Sequence, residues 1–102
     1  MSELPPVVNN EVLNKYQMVF PNGEEAVIEY KIYNNNEYDL YHTYVPDSQR
    51  GRNVADVLST QTINDITHNR NGKVLLSCSY LSNRWLPKNP EYIRYVLRMI
   101  KK

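Results

Sequence analysis

The stretch Gln49-Arg50-Gly51-Arg52-Asn53 is polar and basic around a single glycine, and a helical pattern of apolar residues begins directly after it, at Val54. A helix start leaves backbone N–H groups without intrahelical partners, so the chemistry on offer near Gly51 is the gripping of an anion such as a phosphate. Taken alone, Gly51 reads better as an ordinary glycine opening a helix. Other chemistries find less support. His42, His68 and Cys78 make no obvious zinc set, and there is no nucleophile elbow, Walker loop or dinucleotide fingerprint. No metal site is expected.

The loop has to be delivered by what precedes it. Leu40 to Val45 alternates, which places Leu40, His42 and Tyr44 on one face of a strand and Tyr41, Thr43 and Val45 on the other. Pro46 then stops the ladder. Upstream, Ala26, Ile28, Tyr30 and Ile32 alternate with Val27, Glu29, Lys31 and Tyr33, and Asn34-Asn35-Asn36 reads as a hairpin loop. Val12 to Phe20 predicts a further strand closed by the turn Pro21-Asn22-Gly23, and Met1 to Glu11 a loose lead-in.

Downstream, a helix from about Val54 to Asn69 gathers Val54, Ala55, Leu58, Thr62, Ile63 and Ile66 on one arc, and Asn71-Gly72 stops it. Val74 to Cys78 hardly alternates, as expected of a strand covered on both faces, and it follows the previous strand through a helix, which predicts a parallel β-α-β crossover. Ser79 to Leu86 reads as a short helix or turn ended by Pro87. Asn89-Pro90-Glu91 then predicts the start of a last helix packed through Ile93, Val96, Leu97 and Ile100.

At 102 residues the chain is expected to form one domain over residues 1–102. Its formal charge is only +1, but acids crowd residues 1–40 and bases residues 84–102, a polarity that suggests an anionic ligand near the C-terminal part. The bland reading of Arg84, Lys88, Arg94 and Arg98 is a solvated face. One cysteine excludes an internal disulfide framework and fits a reducing compartment. There is no signal-peptide pattern and no apolar run of roughly 20 residues to span a bilayer. A monomer in the cytoplasm is expected, a nuclear location being compatible, with no membrane partner. The nine tyrosines are expected at core edges and in cross-strand pairs.

Four motifs now stand in order: His42-Thr43-Tyr44-Val45-Pro46, Arg50-Gly51-x-x-x-Ala55, Cys78-Ser79-Tyr80 and Leu86-Pro87-Lys88-Asn89-Pro90. Together they resemble the signatures of the short GCN5-related N-acetyltransferases, over Ala26 to about Tyr92. The resemblance implies a compact α+β fold with a mixed, mostly antiparallel sheet, a splayed parallel central strand pair and flanking helices. The pair would be Asp39 to Val45 and Val74 to Tyr80, with the pantetheine arm of acetyl-CoA or coenzyme A between them.

On that pattern Tyr44 and Val45 would bond the pantetheine amides, and Arg50, Gly51, Arg52, Asn53, Val54 and Ala55 would form the phosphate loop, with Lys88 or Arg84 reaching a phosphate. The sequence departs from the family's usual glycine at Asn53, which tolerates positive φ but adds a side chain. His42 would be a general base, Cys78 a thiol acid or transient acetyl acceptor, and Tyr80 a further proton donor. Without the resemblance, His42 reads as a hydrogen-bonded packing residue and Cys78 as inert. The implied function is acetyl transfer to an amine, either a protein lysine or a small amine. Asn53 and the small size motivate a first alternative, a non-catalytic CoA-binding module. The basic C-terminus and exposed tyrosines motivate a second, a nucleic-acid-binding module, which is not favoured.

Overall fold

The period-two runs fold into a six-stranded sheet whose strands lie side by side in chain order. In the computed structural model, which describes residues 4–99, these are β1 (Val8–Asn10), β2 (Lys15–Val19), β3 (Glu25–Tyr33), β4 (Glu37–Tyr44), β5 (Lys73–Leu76) and β6 (Val96–Met99). β1 to β4 pair antiparallel, and β4, β5 and β6 run parallel. The asparagine run makes the β3–β4 hairpin as expected, with Asn34 and Asn35 at φ 52° and 71°, the left-handed backbone that tight hairpins need.

Helix α1 (Val54–Asn64) runs on into a π-helical turn, Asp65–Asn69, and carries the chain from β4 to β5. Its expected arc is buried at Val54, Leu58, Thr62, Ile63 and Ile66, while Ala55 is half-buried. On the sheet the buried side chains are Tyr16, Met18, Ala26, Ile28, Tyr30, Tyr38, Leu40, Val74 and Leu76, which the strand register places on one face. One face therefore takes the helices and the other is open. Tyr16 ties the layers together by donating its hydroxyl to Asp65 at 2.7 Å, and Arg70 Nε donates to the same carboxylate at 2.8 Å. Partial burial pushes the Asp65 carboxyl upward, but hydrogen bonds from Asn69, Tyr16 and Arg70 outweigh it and hold the group below the usual carboxylate range.

The structure differs from the sequence reading at five places. The lead-in becomes strand β1 at its far end, paired with β2; residues 1–3 lie outside the described part. β5 ends at Leu76 and alternates in burial, since only one sheet face is covered. Pro87 does not end its helix: a π-helical turn, Leu81–Trp85, runs directly into α2 (Leu86–Lys88), and the chain stays helical one residue past the proline. The last helix is instead a 3-10 turn, Pro90–Tyr95, followed by β6, because the free edge of β5 offers Val96 to Met99 a ladder. Val96 and Met99 pack on the core while Ile93 and Leu97 are exposed; Ile100 lies outside the described residues.

The fifth difference is in β4. Tyr30 pairs with Leu40, but Glu29 pairs with His42, so Tyr41 is the extra residue of a β-bulge. Beyond a bulge the parity of a strand inverts. Thr43 opposite Ile28 joins the face of Leu40, whereas His42 and Tyr44, opposite Glu29 and Val27, turn to the open face. The grouping of Leu40 with His42 and Tyr44 is thus corrected.

Candidate functional site

β4 outruns β5. Their ladder ends at Leu40 and Leu76, Cys78 N–H adds one last bond to the Leu40 carbonyl at 3.1 Å, and residues 41–44 have no strand partner on that side. The chain past Leu76 turns into the Leu81–Trp85 and α2 segment instead of continuing the strand, so the parallel pair splays. Into this splay opens a cleft of about 480 Å³ lined by Thr43 of β4 and Val45 just past its end, Gln49 to Gly51 and Asn53 to Asp56 at the mouth of α1, and Tyr80, Arg84 and Lys88.

The mouth of α1 is built from left-handed backbone. Gly51 has φ +85° and Asn53 φ 63°, and a Cβ placed on Gly51 would meet nothing within 4 Å. Asn53 thus takes the conformation for which glycine is the usual choice, and no side chain caps the helix. The first backbone bond of the helix runs from Val57 N–H to the Asn53 carbonyl at 3.1 Å, so the amides of Val54, Ala55 and Asp56 precede the helical ladder. Arg50, Arg84 and Lys88 bring cationic groups to the same cleft, and Asp56 is the one carboxylate among its lining residues. Asp56 accepts the Tyr80 hydroxyl at 2.9 Å and stands 3.7 Å from Lys88 Nζ. Burial first, and then this hydrogen bond, push the Tyr80 hydroxyl well above the usual tyrosine range, so it keeps its proton. An extended anion suits such a cleft.

Of the residues singled out by sequence, the structure brings Val45, Arg50, Gly51, Asn53, Val54, Ala55, Tyr80, Arg84 and Lys88 together here. Arg52 is directed elsewhere: it donates to Gln49 Oε1 and lies over the Phe20 ring, 5.9 Å from its centroid. Tyr44 is on the open face, 48% exposed. His42 is exposed on that same face. Cys78 is buried, and its Sγ–H donates to Thr43 Oγ1 at 3.3 Å, so it meets the cleft through Thr43. His42 and Cys78 therefore flank the splay from opposite sides of the sheet. Thr43, Gln49 and Asp56 were not foreseen. Thr43 is hidden by the bulge, whereas an acid in the first turn of a helix is itself a readable signal for Asp56.

Among the described residues no group of three or more His, Cys, Asp and Glu side chains could hold a metal ion, and no helix is long and apolar enough to cross a membrane.

Comparison with known proteins agrees with this geometry. A family model described as GCN5-related N-acetyl-transferase matches residues 15–96. Among solved structures, the chain is similar to the solution NMR structure of a GCN5-like candidate N-acetyltransferase from Staphylococcus aureus, with TM-score 0.68 and 30% sequence identity. That match covers 98% of this chain and 94% of the other. With the family model spanning most of its length and the splayed parallel pair in place, the chain belongs to the GCN5-related N-acetyltransferase family.

Proposed function

We propose that this protein is an acetyl-CoA-dependent N-acetyltransferase acting on a primary amine, either a protein lysine or a small amine. The observation that carries the reading is the union, in one cleft, of a splayed strand pair and a cationic helix mouth. Coenzyme A has both parts to match: a narrow pantetheine arm for the splay, and phosphates for the α1 amides with Arg50, Arg84 and Lys88. The open backbone at Gly51 leaves room for close approach. What the bound cofactor would supply is an acetyl group activated as a thioester.

In this reading the backbone at Tyr44, the last residue of β4, and at Val45 just beyond it orients the pantetheine amides, which does not depend on where the Tyr44 ring points. Thr43 Oγ1 accepts from Cys78 Sγ and retains its own O–H to donate toward the cleft, so the two form a short relay able to deliver a proton to a departing thiolate. Tyr80, whose proton is engaged by Asp56, presents lone pairs. His42 would take the proton of an amine that reaches the splay from the open face. One observation favours a second reading, a non-catalytic CoA-binding module: His42 is separated from the Cys78 side by the sheet itself. Cofactor binding with no turnover against an amine panel would decide for it.

Acetyl-CoA or CoA is expected to raise the melting temperature, because a ligand at about 100 times its Kd adds about 2.7 kcal/mol to the native state. No thermal shift and no calorimetric signal at millimolar ligand would remove the cofactor assignment. Cys78→Ala is expected to leave CoA binding intact and to slow transfer about tenfold, less than the ~10²–10⁴ of an irreplaceable general acid, since water can enter the vacated relay. Mass spectrometry after brief incubation with acetyl-CoA should show no stable acetyl adduct. An adduct that is missing in Cys78→Ala and chases onto an amine would establish a covalent route instead.

A further inference from the structure

Asp56 is a charge of the wrong sign for the cleft it occupies. Its neighbours across the space are Arg50, Arg84 and Lys88, and it sits in the first turn of α1, where the helix end and its unpaired amides favour negative charge. Each of its oxygens also has a partner: Oδ1 takes the Tyr80 hydroxyl at 2.9 Å and Oδ2 lies 3.7 Å from Lys88 Nζ. Tyr80 and Lys88 come from the Cys78–Lys88 side of the splay and Asp56 from the α1 side, so this one carboxylate links the two walls. Resting on the CoA reading of the cleft, we propose that Asp56 is an affinity-setting residue: it stands in for the ligand's phosphate on Lys88 when no ligand is bound, and a phosphate takes Lys88 from it on binding.

The consequence is a cleft that stays assembled without cofactor but binds it less tightly than it otherwise would. Lys88 is suited to the exchange, because its side chain is 64% exposed and its contact with Asp56 is long for an ion pair. Tyr80 is not, because its hydrogen bond is short and half-buried, so Asp56 keeps Tyr80 while releasing Lys88.

The experiment is titration of wild type, Asp56→Asn and Asp56→Glu with inorganic pyrophosphate and with CoA, followed by NMR at the Gly51 and Val54 amides. Asp56→Asn keeps an acceptor for Tyr80 and removes the charge. It is expected to tighten pyrophosphate binding about two- to fivefold at low salt, the scale of one exposed ion pair, and the gain should fade in high salt. Asp56→Glu should stay near wild type. In a Lys88→Met background the gain from Asp56→Asn should shrink, which a purely structural role of Asp56 would not produce. Unchanged or weaker pyrophosphate binding by Asp56→Asn overturns the proposal, as does a gain indifferent to Lys88. So does failure of every variant to bind pyrophosphate. If pyrophosphate binds as expected and CoA does not, the CoA reading falls while the role of Asp56 stands.

Discussion

Trp85→Ala is expected to cost about 3–5 kcal/mol of stability, the range for removing a fully buried tryptophan, and to lower the urea midpoint by more than about 1 M with an unchanged slope. The side chain is 0% exposed, its ring centroid lies 5.1 Å from that of Tyr92, and Nε1 donates to Thr60 Oγ1 at 3.0 Å. Alanine would lose the ring's dispersion contacts and leave a cavity at the joint between α1 and the Leu81–Lys88 helical run. That run carries Arg84 and Lys88 into the cleft, so cofactor affinity should fall together with stability. Trp85→Phe should lose much less, since it keeps most of the volume and Thr60, half-buried, can turn to water. A loss under about 1 kcal/mol for the alanine variant would mean that Trp85 is not packed as described.

Removing cations at the cleft is expected to have the second-largest effect, this time on binding. The double variant Arg50→Ser/Arg84→Ser should weaken CoA binding by roughly 30- to 150-fold at low salt, taking each guanidinium–phosphate hydrogen bond at about 1–1.5 kcal/mol, no more than the bottom of the range for charged groups, because the site is open to water. Stability without ligand should hardly move, since the 3.3 Å contact of Arg50 with Asp47 is exposed on both sides and such pairs contribute little. Calorimetry at two salt concentrations checks both parts: the variant should bind weakly and with a shallower salt dependence. Affinity within twofold of wild type would place the phosphates elsewhere.

Much of this was legible in the chain because the deciding signals are local. The alternation from Ala26, which holds in burial as far as Tyr30 and lapses at the exposed Ile32, the asparagine turn and the arc from Val54 to Ile66 are each dictated by backbone geometry and burial over a few residues. The phosphate-loop candidates were legible for a similar reason: Gly51 and Asn53 announce left-handed backbone, and helix starts expose amides wherever they occur. What escaped reading depends on partners far along the chain. Nothing between Leu40 and Val45 marks Tyr41 as a bulge, because the mismatch exists only against Glu29 and Tyr30 of β3. That single residue moved His42 away from the cleft and Thr43 into it. The segment after Pro90 carries good helix-start residues, yet an open edge on β5 made a strand of its continuation. The destination of Arg52 was likewise set by Phe20, which lies in another part of the sequence.

The strand order, which follows the chain from β1 to β6, also bears on the path by which the molecule assembles. Hairpin pairing from β2 to β4 requires only short closures, such as the three-residue turn 34–36, so these contacts lie near one another in the unfolded chain. The β4–β5 pair has to close over residues 45–72, which by loop entropy costs about 2 kcal/mol more than closing that turn. The antiparallel meander is therefore the natural nucleus, and the parallel pair a late addition. The splay in which the cofactor is proposed to lie belongs to the last and most costly closure of the sheet's centre, so in kinetic language the binding site is among the final parts of the molecule to exist.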